Sequence, residues 1–76
     1  MPTVAAVVLT PAEQYEYLRL EVRYHLTAPG DRRRGNRRAR AAIADYAQAW
    51  GEDRAWCAKL FIELMDEVNA EATVTP

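Results

Sequence analysis

Residues 36–69 read NRRARAAIADYAQAWGEDRAWCAKLFIELMDEVN, and their apolar spacing decides the fold. Ala39, Ile43, Tyr46, Ala47 and Trp50 recur at i, i+4, i+7, i+8 and i+11, a single stripe along a helix over 36–50. Asp31 could cap that helix, but Gly35 interrupts such a reading, so Asn36 is favoured as the cap, and Gly51 ends the helix. Cys57, Leu60, Phe61, Leu64, Met65 and Val68 repeat the spacing more strictly over 53–69, where Glu52 or Asp53 opens a helix that stops near Asn69. This reads as the most amphipathic helix of the chain. The short link at Gly51 makes the two helices antiparallel neighbours.

Working outward, Thr10 suits an N-cap, Pro11 the first helical position, and Glu13 the acid that reaches back in a capping box. A helix is expected over 11–27, closed by Ala28-Pro29-Gly30. Gly35 reads as an interruption, so 28–35 is expected as a basic loop. Residues 1–10, rich in valine, form an extended arm or a short strand, and 70–76 a loose tail. The fold class is mainly α: one small three-helix domain.

The first helix has two apolar faces. Tyr15, Leu18 and Val22 line one and Tyr17, Leu20 and Tyr24 the other. One face closes the core; the second is a candidate oligomer or partner interface. A chain of 76 residues buries only about 60% of the surface its unfolded form exposes, so a homo-oligomer is expected.

Composition excludes several classes. Ten basic and eleven acidic side chains give a net charge of −1, so any electrostatic function must be local. One cysteine and one histidine cannot make an internal disulfide or a multi-ligand zinc site, and no metal or cofactor is expected. Cys57 lies on an apolar stripe and reads as a small hydrophobe; His25 sits near the end of a helix, where a capping or surface role is the default. With no nucleophile–base spacing and no glycine-rich phosphate loop, the expectation is a non-enzyme with no catalytic residues. Val4 to Leu9 is far too short to span a membrane, and a cytoplasmic protein is expected. Trp50 and Trp56 bracket the Gly51 turn and are expected to seal the closed end of the hairpin.

The strongest anomaly is Asp31-Arg32-Arg33-Arg34-Gly35-Asn36-Arg37-Arg38-Ala39-Arg40, which puts six of the nine arginines into nine positions. A guanidinium grips phosphate or carboxylate through paired hydrogen bonds, so Arg32, Arg33, Arg34, Arg37, Arg38 and Arg40 are candidate contacts to nucleic acid or to an acidic partner. Cations in a first helical turn oppose the macrodipole at a cost of a few tenths of a kcal/mol each, up to about 1, so an anionic counterpart is expected to offset them. An internal one is available in principle. If the chain reverses at Gly51, Glu63, Asp66, Glu67 and Glu71 lie beside Arg37, Arg38 and Arg40, leaving Arg32 to Arg34 on the loop without acidic partners.

The arginine run resembles the arginine-rich segments of phage antitermination peptides, which fold on RNA. The order of elements, an extended segment, Thr10-Pro11, a helix, a turn and a helix, is similar to that of ribbon-helix-helix DNA-binding proteins. Three features depart from that pattern. The first helix is several residues too long, Val4 to Leu9 offers alanine and valine where base-reading polar side chains are wanted, and a strong third helix follows. The expected function is a small regulatory module that binds nucleic acid, DNA or RNA, through the arginines. The alternative is a protein–protein interaction module, such as an assembly subunit, inhibitor or antitoxin-like adaptor.

Overall fold

The computed structural model describes residues 8–74, and these form three helices: α1 (Pro11–Thr27), α2 (Arg32–Trp50) and α3 (Arg54–Val74). Most of the expected N-terminal arm lies outside the described residues. Val8 and Leu9, which are described, have no regular secondary structure.

Helix α1 matches its expected bounds because its start is encoded locally. The Glu13 N–H donates to Thr10 Oγ1 at 3.2 Å and the Thr10 N–H donates to Glu13 Oε1 at 3.1 Å, a complete capping box with proline in the first turn. At the other end Ala28 is extended, as a residue before proline should be, and Gly30 takes a φ of 111°.

Helix α2 begins four residues earlier than the spacing predicts. Asp31, not Asn36, is the cap: its carboxylate accepts the Arg33 N–H at 2.9 Å. Gly35 therefore lies inside the helix, and the connection from α1 shrinks to residues 28–31. The reason for the glycine is a contact between helices. A Cβ at position 35 would meet the His25 carbonyl oxygen at 2.4 Å, so only glycine lets α2 cross the end of α1 at this distance.

Gly51 ends α2 in the left-handed region at φ 74°, its N–H donating to the Ala47 carbonyl, and the Glu52 N–H shares that carbonyl at 2.8 Å. Asp53 then caps α3, accepting the Trp56 N–H at 2.9 Å. Helix α3 continues past Asn69, so 70–74 is helical where a loose tail was expected. Asparagine stops a helix by adopting positive φ, and no non-glycine residue among those described does so. Good helix formers at Ala70, Glu71 and Ala72 then carry the helix on.

The buried core is Leu18 and Val22 from α1, Ala39, Ile43 and Ala47 from α2, and Leu60 and Leu64 from α3, and all of these but Ala47 form one cluster. Two of the three α2 members are alanines, so the backbones pack closely. Tyr15 meets Tyr46 at one end of the α1–α2 pair, while His25 meets Gly35 at the other, which makes α1 antiparallel to α2. Helix α3 reverses again at Gly51 and runs alongside α1. At the closed end Tyr46 stacks on Trp56 (5.7 Å, 13°) and on Trp50 (5.8 Å, 27°), while Tyr15 meets Tyr46 edge-on at 6.2 Å. Trp56 packs against the core as expected; Trp50 stacks but stays 44% exposed. The most two-faced helix is α2 rather than α3, whose apolar residues extend round to an exposed Ile62. Among the described residues, no helix is long and apolar enough to cross a membrane.

Candidate functional site

Because α2 starts at Arg32, all six clustered arginines stand on one helix; Arg32, Arg33 and Arg34 form its first turn instead of a loop. At about 100° per residue, Arg33, Arg37 and Arg40 make one row and Arg34 with Arg38 a second. Gly35, Ala39 and Ile43 point the other way, toward α1 and the core. All six arginines are exposed. The first row borders a shallow depression with Asp31 and Asn36, and the second lines a hollow with Tyr24, His25, Pro29 and Gly30.

Among the described residues, none of the six has a carboxylate within 4 Å. The first turn of α2 holds no acid, and the Asp31 carboxylate is engaged by the Arg33 backbone. Each cation there works against the helix dipole by a few tenths of a kcal/mol, up to about 1, and the i, i+4 pairs repel one another. The chain thus maintains an unfavourable local charge arrangement on its surface.

The acidic edge of α3 does not neutralise it, contrary to expectation. Arg19 Nη2 donates to Glu67 at 2.6 and 2.9 Å, Arg23 Nη1 lies 3.5 Å from Glu67, and Arg23 also bonds Glu71. The acids meet α1 because α3 presents Glu67 and Glu71 to the helix running alongside it, not to the start of α2. Glu63 and Asp66 make no ion pair among the described residues. The Arg23 guanidinium holds the Glu71 carboxyl below its ordinary range, and the Thr10 N–H does the same for Glu13. Among the described residues, Arg40 is the one of the six with a ring partner on another helix: its guanidinium lies over the Phe61 ring, 4.8 Å from the centroid.

The second apolar face of α1 is present as read. Tyr17, Leu20 and Tyr24 are 59%, 59% and 67% exposed, on the side of the helix turned away from Leu18 and Val22. His25 lies 4.0 Å from Glu21 and edge-on to Tyr24, and Cys57 is a half-buried free thiol beside the core. No group of His, Cys, Asp and Glu among the described residues is arranged to hold a metal ion.

Sequence reasoning missed a cleft of about 820 Å³ between α2 and α3, lined by Arg40, Ile43, Arg54, Cys57, Ala58, Phe61 and Ile62. Its signal was Ala58 and Ile62, which widen the apolar arc of α3 beyond what two neighbouring helices can cover.

No protein-family model, curated protein or solved structure matches the chain. The chemistry of the site therefore rests on its own residues.

Proposed function

We propose that this protein is a small non-catalytic module that binds nucleic acid through the arginine face at the start of α2. The observation that carries this reading is the set of six exposed arginines with no carboxylate partner among the described residues, set against a remainder of the chain with four basic and eleven acidic side chains. The near-neutral total conceals a separation of charge. The row Arg33–Arg37–Arg40 extends about 10 Å along the helix axis. That matches roughly three phosphate steps, at about 3.4 Å of duplex axis per step on one strand. Arginine suits the task better than lysine because its planar fork grips phosphate oxygens in pairs and stacks on exposed bases. Such contacts position the protein without reading sequence, so the proposal is phosphate recognition rather than base recognition. A cytoplasmic location accords with the lone thiol of Cys57.

A second reading, a module that docks on another protein, is favoured by the exposure of Tyr17, Leu20 and Tyr24 on α1. Fluorescence anisotropy with duplex DNA, single-stranded DNA and structured RNA separates the two. The Arg32→Ala/Arg33→Ala/Arg34→Ala variant is expected to lose affinity for whichever of the three the wild type binds while keeping its helical circular dichroism. Absence of wild-type binding to all three at low salt would overturn the nucleic-acid reading in favour of the second.

A further inference from the structure

Two surfaces that the core leaves unused are complementary in shape and in charge. The outer side of α1 is a convex apolar ridge of Tyr17, Leu20 and Tyr24; Glu13 and Glu16 border its Tyr17–Leu20 end, while its Tyr24 end lies beside His25, Arg34 and Arg38. At about 100° per residue, Glu16 and Glu21 fall on opposite flanks of this ridge and Glu13 continues it toward the N-terminus. All three glutamates are exposed. The α2–α3 cleft is the reverse: a concave apolar floor that includes Ile43, Phe61 and Ile62, with Arg40 and Arg54 as its only charged lining. No residue of α1 lines the cleft, so ridge and cleft open on different sides of the bundle.

We propose that the α1 ridge of one copy of this chain seats in the α2–α3 cleft of a second copy, with the ridge glutamates against Arg40 and Arg54. Charge suits the acid-bordered end of the ridge to the arginine-lined cleft. Two clefts face to face would oppose arginine to arginine, and two parallel ridges acid to acid. Two antiparallel ridges, which would bring Glu13 and Glu16 toward Arg34 and Arg38, are the competing arrangement that the Ile62→Ser variant tests. An amphipathic helix laid into an apolar groove gains its energy from a few large side chains, here Tyr17, Leu20 and Tyr24. Because the two surfaces lie on different sides, each bound copy still offers one of them, and the assembly grows with concentration. Arg40 belongs to both surfaces, so phosphate held there would compete with the ridge glutamates. Leu20 and Ile62, the positions tested, lie outside the arginine face, and nuclease treatment removes that competitor.

The test is sedimentation velocity on the nuclease-treated full chain, with Leu20→Ser on the ridge and Ile62→Ser at the cleft. Both positions are exposed, so circular dichroism is expected to show wild-type helicity for each variant. The wild type should gain mass as its concentration rises into the high micromolar range, and less so at high salt. Each variant alone should associate at least about tenfold more weakly. An equimolar mixture should then form a two-chain species, because the Leu20→Ser copy keeps an intact cleft and the Ile62→Ser copy an intact ridge. A wild type that stays monomeric would overturn the proposal. So would an Ile62→Ser variant that associates as well as the wild type, which would mean that ridge meets ridge, or a mixture that behaves as its separate components.

Discussion

At position 35 an added methyl would sit 2.4 Å from the His25 carbonyl oxygen, well inside van der Waals contact. Replacing a helix-interior glycine by alanine ordinarily stabilises by up to about 1 kcal/mol through propensity. Here the obstructing atom is backbone, held by α1, and the clash costs about 1 to 3 kcal/mol. The expected net effect of Gly35→Ala is destabilisation, read as a lower urea midpoint; Ala44→Gly, exposed on the same helix, measures the propensity term by itself. Asp31→Ala should also destabilise, by about 0.5 to 2 kcal/mol, since Asp31 caps α2. These two residues also show where reading by position fails. A glycine before an asparagine carries the same local signal whether it breaks a helix or lets two helices touch, and only the partner helix distinguishes the cases.

On α2, the first-turn arginines oppose the dipole and repel one another, so the proposed phosphate contacts and stability pull in opposite directions. Arg32→Ala/Arg33→Ala/Arg34→Ala should melt at or above the wild-type temperature, gaining on the order of 1 kcal/mol in total at low salt. A clearly lower melting temperature would mean that these side chains make stabilising contacts. Between α1 and α3 the sign is reversed, because Arg19 and Arg23 meet Glu67 and Glu71. Glu13 and Glu71 have folded-state values below the ordinary 4.5, so the unfolded chain takes up protons first as pH falls. Their contribution is complete above the ordinary carboxylate range and is lost as pH drops through the depressed folded values. Urea midpoints should therefore decline below about pH 5, and Glu71→Gln should make the decline shallower. The start of α1, the turn at Gly51 and the buried stripes were legible in the sequence because caps, glycine and apolar period act within a few residues. The acids of α3 were matched to the wrong helix because ion-pair partners depend on how three helices are rotated about their axes, which spacing along one helix does not specify.

For the whole molecule, the separation of charge was legible and its geometry was not. Six arginines in nine positions mark a basic site in any conformation, but assigning Arg32 to Arg34 to a loop hid the fact that they extend one continuous helical face. The core is small, and the surfaces it leaves over are chemically distinct: an arginine face on α2, an apolar ridge on α1 with acids at its N-terminal end, and an arginine-bordered cleft between α2 and α3. The central proposal is that the arginine face holds phosphate. Its most direct test is the dependence of duplex DNA affinity on salt, measured by anisotropy for the wild type and for the Arg32→Ala/Arg33→Ala/Arg34→Ala variant. Each phosphate neutralised contributes about 0.9 to the slope of log affinity against log salt, so the triple substitution should flatten that slope by up to about 3. A steep wild-type slope that the variant flattens is the predicted result; a slope that the variant leaves unchanged would contradict the claim.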